Sequence, residues 1–142
     1  MSMTSYESEI KTISSNEEVV FTVLSDLSRL ESMLYKLPTD KISGVNIDKE
    51  SVRFTVNSIG EIGFKIIDKE PYKTIKFESE KLPFTVNAWI QLKQVGECDT
   101  RMKLTLRAEL PTMVKMMLGN KLGDAINKIA DGLSRLPYQQ MI

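Results

Sequence analysis

The apolar residues of this chain recur with two different spacings. Between about residue 40 and residue 110 the spacing is two. Val52, Phe54 and Val56 alternate with Arg53, Thr55 and Asn57, and Ile62, Phe64 and Ile66 follow Gly60. Ile75 and Phe77 alternate with Thr74, Lys76 and Glu78. Val86, Ala88, Ile90 and Leu92 alternate with Thr85, Asn87, Trp89, Gln91 and Lys93. Met102, Leu104, Leu106, Ala108 and Leu110 alternate with Arg101, Lys103, Thr105, Arg107 and Glu109. Ser58-Ile59-Gly60, Lys69-Glu70-Pro71, Lys81-Leu82-Pro83 and Val95-Gly96-Glu97-Cys98-Asp99 are turns between them. With Ile42–Ile47 this predicts six consecutive antiparallel strands with one wet face.

Outside that region the spacing is helical. Residues 5–13 alternate loosely as a first strand. Ser15 and Glu18 form a capping box for a short helix ending near Asp26, with Val19, Val20, Val23 and Leu24 on one side. Ser28 to Leu37 suggests a second short helix closed by Pro38. Residues 112–136 place Val114, Leu118, Leu122, Ala125, Ile126, Ile129, Leu133 and Leu136 within one arc, opposite Asn120, Asp124, Lys128, Asp131 and Arg135, and Pro137 ends the helix. The predicted architecture is α+β, in the order strand, two helices, six strands, helix. A seven-stranded antiparallel sheet must cover its apolar face. A helix of about 25 residues, about 37 Å long, can lie across a curved sheet.

Composition narrows the chemistry. The chain has 142 residues, no histidine and one cysteine, Cys98. This excludes a Ser-His-Asp triad, a Cys-His dyad, His-ligated haem, His-ligated zinc or iron, an internal disulfide and a Cys-rich cluster. The length fits a single domain spanning 1–142. Nineteen basic and nineteen acidic residues give zero net charge, which argues against nucleic acid as a partner. Residues 1–71 carry a net −4 and residues 72–142 a net +4, as expected if strands of the two halves pair. There is no secretory signal and no transmembrane run, so the expected location is cytoplasmic.

Three stretches carry a family resemblance. Ile13-Ser14-Ser15-Asn16-Glu17-Glu18-Val19-Val20-Phe21 through Leu24-Ser25-Asp26 looks like a strand end leading into a capped helix that closes on an aspartate. Glu70-Pro71-Tyr72-Lys73-Thr74-Ile75-Lys76-Phe77 looks like a turn into a central strand. Leu110-Pro111 opens a glycine-containing C-terminal helix. In these features, over essentially the whole chain, the sequence resembles the START-like (SRPBCC) superfamily. The resemblance implies the helix-grip fold, a curved sheet wrapped around a long C-terminal helix. It does not select a subfamily. The superfamily includes lipid carriers, polyketide aromatases and cyclases, hormone receptors, ring-hydroxylase domains and activators of a chaperone ATPase.

In such a fold a cavity can lie between the helix and the concave sheet face. The alternation turns Phe54, Val56, Phe64, Ile66, Phe77, Val86, Ala88, Ile90, Leu104 and Leu106 inward, and Met117, Leu118 and Leu122 join them from the helix. These are the candidate ligand-binding residues, with Tyr6 and Tyr35 as polar orienters. Apolar walls suit a lipid-, quinone- or polyketide-like ligand. The inward set has no Asp, Glu or Lys, so no catalytic residue is assigned and binding is favoured over catalysis. No cofactor and no metal is implied. The alternatives are a protein-interaction module with a solid core and a cyclase- or aromatase-like enzyme. A further reading is transient membrane-surface contact through Met113, Met116, Met117, Lys115 and Lys121; the pattern leaves oligomeric state open. Gly119 and Gly123, four apart, each cost about 1 kcal/mol in helix propensity and call for a close approach, room for a ligand or a kink.

Overall fold

A computed structural model describes residues 2–36, 42–56, 60–82 and 84–142. The first strand pairing is split: β1 (Ser2–Glu7) and β2 (Lys11–Ile13) both run against the last strand. Then follow α1 (Glu17–Leu24), a 3-10 helix (Leu27–Lys36), and strands β3 (Ile42–Ile47), β4 (Ser51–Val56), β5 (Gly60–Glu70), β6 (Thr74–Glu80), β7 (Val86–Gly96) and β8 (Asp99–Leu110). The chain closes with α2 (Thr112–Ser134) and α3 (Tyr138–Met141). The sheet is antiparallel in the order β1-β8-β7-β6-β5-β4-β3, with β2 also on β8.

The predicted first strand, 5–13, starts earlier and breaks in the middle. Glu7 pairs with Thr105 but Lys11 with Met102, so the first strand carries one extra residue. Such a bulge flips side-chain parity. That is why Tyr6 and Ile13, of opposite parity, both face the interior. Ser8 holds the break: its amide donates to Leu104 O at 2.8 Å and its hydroxyl accepts from Leu104 N at 2.9 Å.

The cap of α1 is also one residue away from the predicted one. Asn16, not Ser15, is the N-cap, and its side-chain oxygen accepts from Val19 N at 2.8 Å. Glu17 and Glu18 do stand in the first turn, where the helix dipole favours acids. Ser15 is buried, and its carbonyl accepts from the Thr100 hydroxyl. The second helix is of the tighter 3-10 type.

The alternation shows in the buried residues of β5 to β8. Ile62, Ile66, Ile75, Phe77, Val86, Ile90, Leu104 and Ala108 are buried. On the outer face Trp89 packs across strands between Lys76 (5.4 Å to the ring) and Arg107 (5.8 Å). Ion pairs join the two oppositely charged halves, among them Lys103–Glu7, Arg53–Glu80, Lys11–Asp131 and Lys81–Glu61.

The long helix is turned relative to the predicted arc. Ala125 is exposed, whereas Ala130, outside that arc, is fully buried with Ile126 and Leu133. The helix rests on β8, β1 and β2, and the small residues Gly119, Gly123 and Ala130 point that way. It therefore lies toward one side of the sheet. Among the described residues no helix is long and apolar enough to cross a membrane.

Candidate functional site

The interior has two parts of different packing. The larger surrounds α1, the second half of α2 and α3. Here Val20, Val23, Leu24, Ile75, Met102, Ala130 and Tyr138 are at 0 or 1% exposure. Phe21 meets Tyr72 edge to face, with ring centroids 5.7 Å apart. The Tyr138 hydroxyl donates to Leu133 O at 2.6 Å and closes the end of α2. Burial pushes the Tyr138 phenol well above its ordinary range. Arg29 ties the C-terminus down by donating to Met141 O at 2.9 Å.

The smaller part lies under the first half of α2. Only Val86, Ala108 and Leu110 are buried there. Around them stand Tyr6, Phe64, Leu82, Phe84, Leu106, Val114 and Leu122, all apolar or aromatic and all half-buried. Phe54 stacks on Phe64, with centroids 6.4 Å apart and planes within 19°. The register sets small side chains beside these rings. Thr4 pairs with Ala108 and Ala108 with Val86, and Val86 N donates to the Ser79 hydroxyl at 2.9 Å. Ser79 in turn pairs with Phe64. A row of small side chains thus crosses the concave face before it reaches an aromatic ring.

Tyr6 stands at one end of this region. Its hydroxyl oxygen lies 3.5 Å, and its ring 3.9 Å, from where Cβ atoms on Gly119 and Gly123 would be. The two glycines are thus where a β1 side chain meets the helix. Beside Tyr6, the buried Thr4 hydroxyl has no hydrogen-bond partner among the described residues. An orphaned buried hydroxyl is costly, and native interiors hold few of them.

The residues singled out from the sequence are divided between these parts. Phe64, Val86, Leu106, Leu122 and Tyr6 gather in the loosely covered part, Phe64 and Leu106 packing against the dense part as well, with Phe54 stacked on its edge. Ile66, Phe77, Ile90 and Leu104 belong to the dense part, and Ala88 packs against it. Met117 is 62% exposed and stands on the outside with Met113 (73%) and Met116 (82%). The side chains of Val56, Leu118 and Tyr35 lie outside the described residues. Sequence reading missed Leu82, Phe84 and Thr4. Leu82 and Phe84 flank a turn proline, where alternation carries no information. Thr4 shares the phase of Tyr6 but lies before residue 5, where the expected first strand began.

A concavity lies at the other end of α2. It is an open cleft of about 350 Å³ walled by Ile13, Ser14, Ser15 and the segment Ser134–Gln140. Its apolar members Ile13, Leu136 and Tyr138 are already committed to the dense core, and Pro137 joins serines, Arg135 and glutamines in the rest of the wall. The half-buried aromatic collar is therefore the candidate site.

No protein-family model matches the sequence, and no curated protein matches it. Solved structures do match its fold. A truncated norcoclaurine synthase from Thalictrum flavum is 12% identical over 94% of this chain and 92% of its own, with a TM-score of 0.71. The same plant's norcoclaurine synthase in complex with dopamine and hydroxybenzaldehyde is 15% identical over 97% and 88%, with a TM-score of 0.67. A START superfamily protein from Mycobacterium smegmatis is 19% identical over 99% of both chains, with a TM-score of 0.63. At these identities the likeness is one of fold, and the chain has the START-like, helix-grip fold.

Proposed function

We propose that the chain binds a small hydrophobic molecule between the concave sheet face and the first half of α2. The observation that carries this is the contrast within one interior. Seven apolar side chains, three of them aromatic, stay half-buried around a nucleus of three buried residues. A protein that only needed a solid core would gain by closing that collar, since each apolar Å² removed from water is worth about 25 cal/mol. Apolar walls with few polar groups are the usual make-up of a ligand site. Lipid-, quinone- and polyketide-like molecules share that chemistry. Dopamine and hydroxybenzaldehyde, bound to a protein of the same fold, are small aromatic molecules. The polar side chains placed beside this collar among the described residues are Thr4, Ser79 and Tyr6, whose hydroxyl groups suit orienting a bound ligand.

Titration with anilinonaphthalenesulfonate tests the reading. The expected result is saturable binding at one site, lost in Leu106→Trp, where the larger ring would cover the collar. No saturable binding, or binding undiminished in a folded Leu106→Trp, counts against it. Native mass spectrometry of protein purified from cells would then identify a retained ligand by mass.

A further inference from the structure

We infer that Thr4 sets the specificity of the site proposed above, on whose existence this rests, and that it selects an apolar molecule with a hydrogen-bonding oxygen, a hydroxyl or a carbonyl, at its β1 end. The observation is a hydroxyl left without a partner on the concave face. Thr4 has the phase of Tyr6 along β1, and Tyr6 meets Gly119 and Gly123 of α2. Met3, of the opposite phase, is 57% exposed. Across the sheet Thr4 pairs with Ala108, which is fully buried in the nucleus of the collar. The Thr4 side chain therefore stands on the face that α2 covers. Its Oγ1 is sealed from solvent and has no hydrogen-bond partner among the described residues.

Other buried threonines of the sheet are paired. Thr100 donates to Ser15 O at 2.7 Å, and Thr105 donates to Gln91 Oε1 at 3.0 Å. An unpaired buried hydroxyl costs its desolvation, and valine, of the same shape, would avoid that cost. A ligand oxygen at Thr4 would offset it. A threonine hydroxyl both donates and accepts, so hydroxyl and carbonyl oxygens serve equally. Rotation about χ1 moves it between staggered positions, so it reaches such an oxygen by turning one bond. Beside Thr4, Ala108 and Val86 form a lane two strand steps wide, about 10 Å, and Ser79 and Phe64 continue it. A ligand whose oxygen meets Thr4 can lay its apolar body along that lane toward the aromatic rings. A site with a polar group to satisfy discriminates against the analogue that lacks the matching oxygen.

The experiment is displacement of bound anilinonaphthalenesulfonate from the full chain by 2-naphthol and by 2-methylnaphthalene, which differ in a hydroxyl against a methyl group. The ratio of the two affinities is measured for the wild type, Thr4→Val and Thr4→Ser, so that the hydrophobic contribution of the rings cancels. Thr4→Val should shift the ratio about three- to tenfold against 2-naphthol, and Thr4→Ser should keep it near the wild-type value. Without ligand, Thr4→Val should melt at the wild-type temperature or above, because no protein hydrogen bond is lost. A ratio unchanged in folded Thr4→Val overturns the role of Thr4 and leaves ligand binding standing. So does dye that 2-naphthol fails to displace, or a lowered melting temperature of Thr4→Val, which would give the hydroxyl a partner within the protein. A wild-type chain that binds no dye saturably overturns both this role and the binding reading.

Discussion

Tyr6 packs against Gly119: the tyrosine hydroxyl oxygen stands 3.5 Å from the position that a Cβ on the glycine would take. The contact joins the edge strand β1 to the long helix. It is an ordinary van der Waals distance, so a methyl group would just fit, while a longer side chain would push Tyr6 away. Gly119→Ala should therefore recover helix propensity and stabilise the protein by up to about 1 kcal/mol, or about 3 °C in Tm. Gly119→Leu should destabilise it. Thermal melts of both variants check this; a destabilised Gly119→Ala would mean that the helix backbone itself needs the glycine.

The two parts of the interior should respond differently to the same truncation. Phe77 is buried in the dense part, and Phe77→Ala should cost about 3–5 kcal/mol. Phe64 is half-buried in the collar, and Phe64→Ala should cost less than half as much. Urea unfolding of the pair provides the comparison. Equal losses would mean that the collar is as well packed as the core.

Asn16 and Ser15 offer a clean test of which residue caps α1. Asn16→Ala removes the acceptor for Val19 N and should cost about 1 kcal/mol. Ser15→Ala keeps the carbonyl that accepts from Thr100 and should cost clearly less. Chemical denaturation of both variants decides between the two.

Tyr138 should make the fold sensitive to alkali. Burial raises its phenol well above the ordinary tyrosine value in the folded state. The folded chain then holds a proton that the unfolded chain has lost once the pH exceeds about 10. Stability from this group is fully present below that pH and declines above it by about 1.4 kcal/mol per pH unit, until the folded phenol itself ionises. Tyr138→Phe removes this decline, at the cost of leaving Leu133 O without its donor, about 1–3 kcal/mol at neutral pH. Stability against pH for the two proteins shows it: parallel curves above pH 10 would refute it.

The strands were legible in the sequence because a half-buried sheet imposes a strict period of two. Phe54, Phe64, Phe77, Val86 and Leu106 were placed on the concave face by that alone. The long helix was legible because one buried stripe imposes a period near 3.6. The caps and the bulge were less so. Asn16 and Ser15 are both good capping residues, and local geometry chooses between them. The extra residue between Glu7 and Lys11 shows only once the partner strand is in register.

What the sequence by itself determined is the order of elements, the apolar face of the sheet and the absence of histidine and of an internal disulfide. These follow from local periodicity and from counts. What only the tertiary structure decided is where along that face the packing is dense. Whether Ile66 and Phe77 are core while Phe64 and Leu106 stay half-covered depends on where α1, α2 and α3 rest, and on small residues meeting across the sheet. The outward turn of Met113, Met116 and Met117 was decided in the same way. Gly119, Gly123 and Ala130 let the helix settle toward β1 and β8, and that rotation leaves the methionines on the open side.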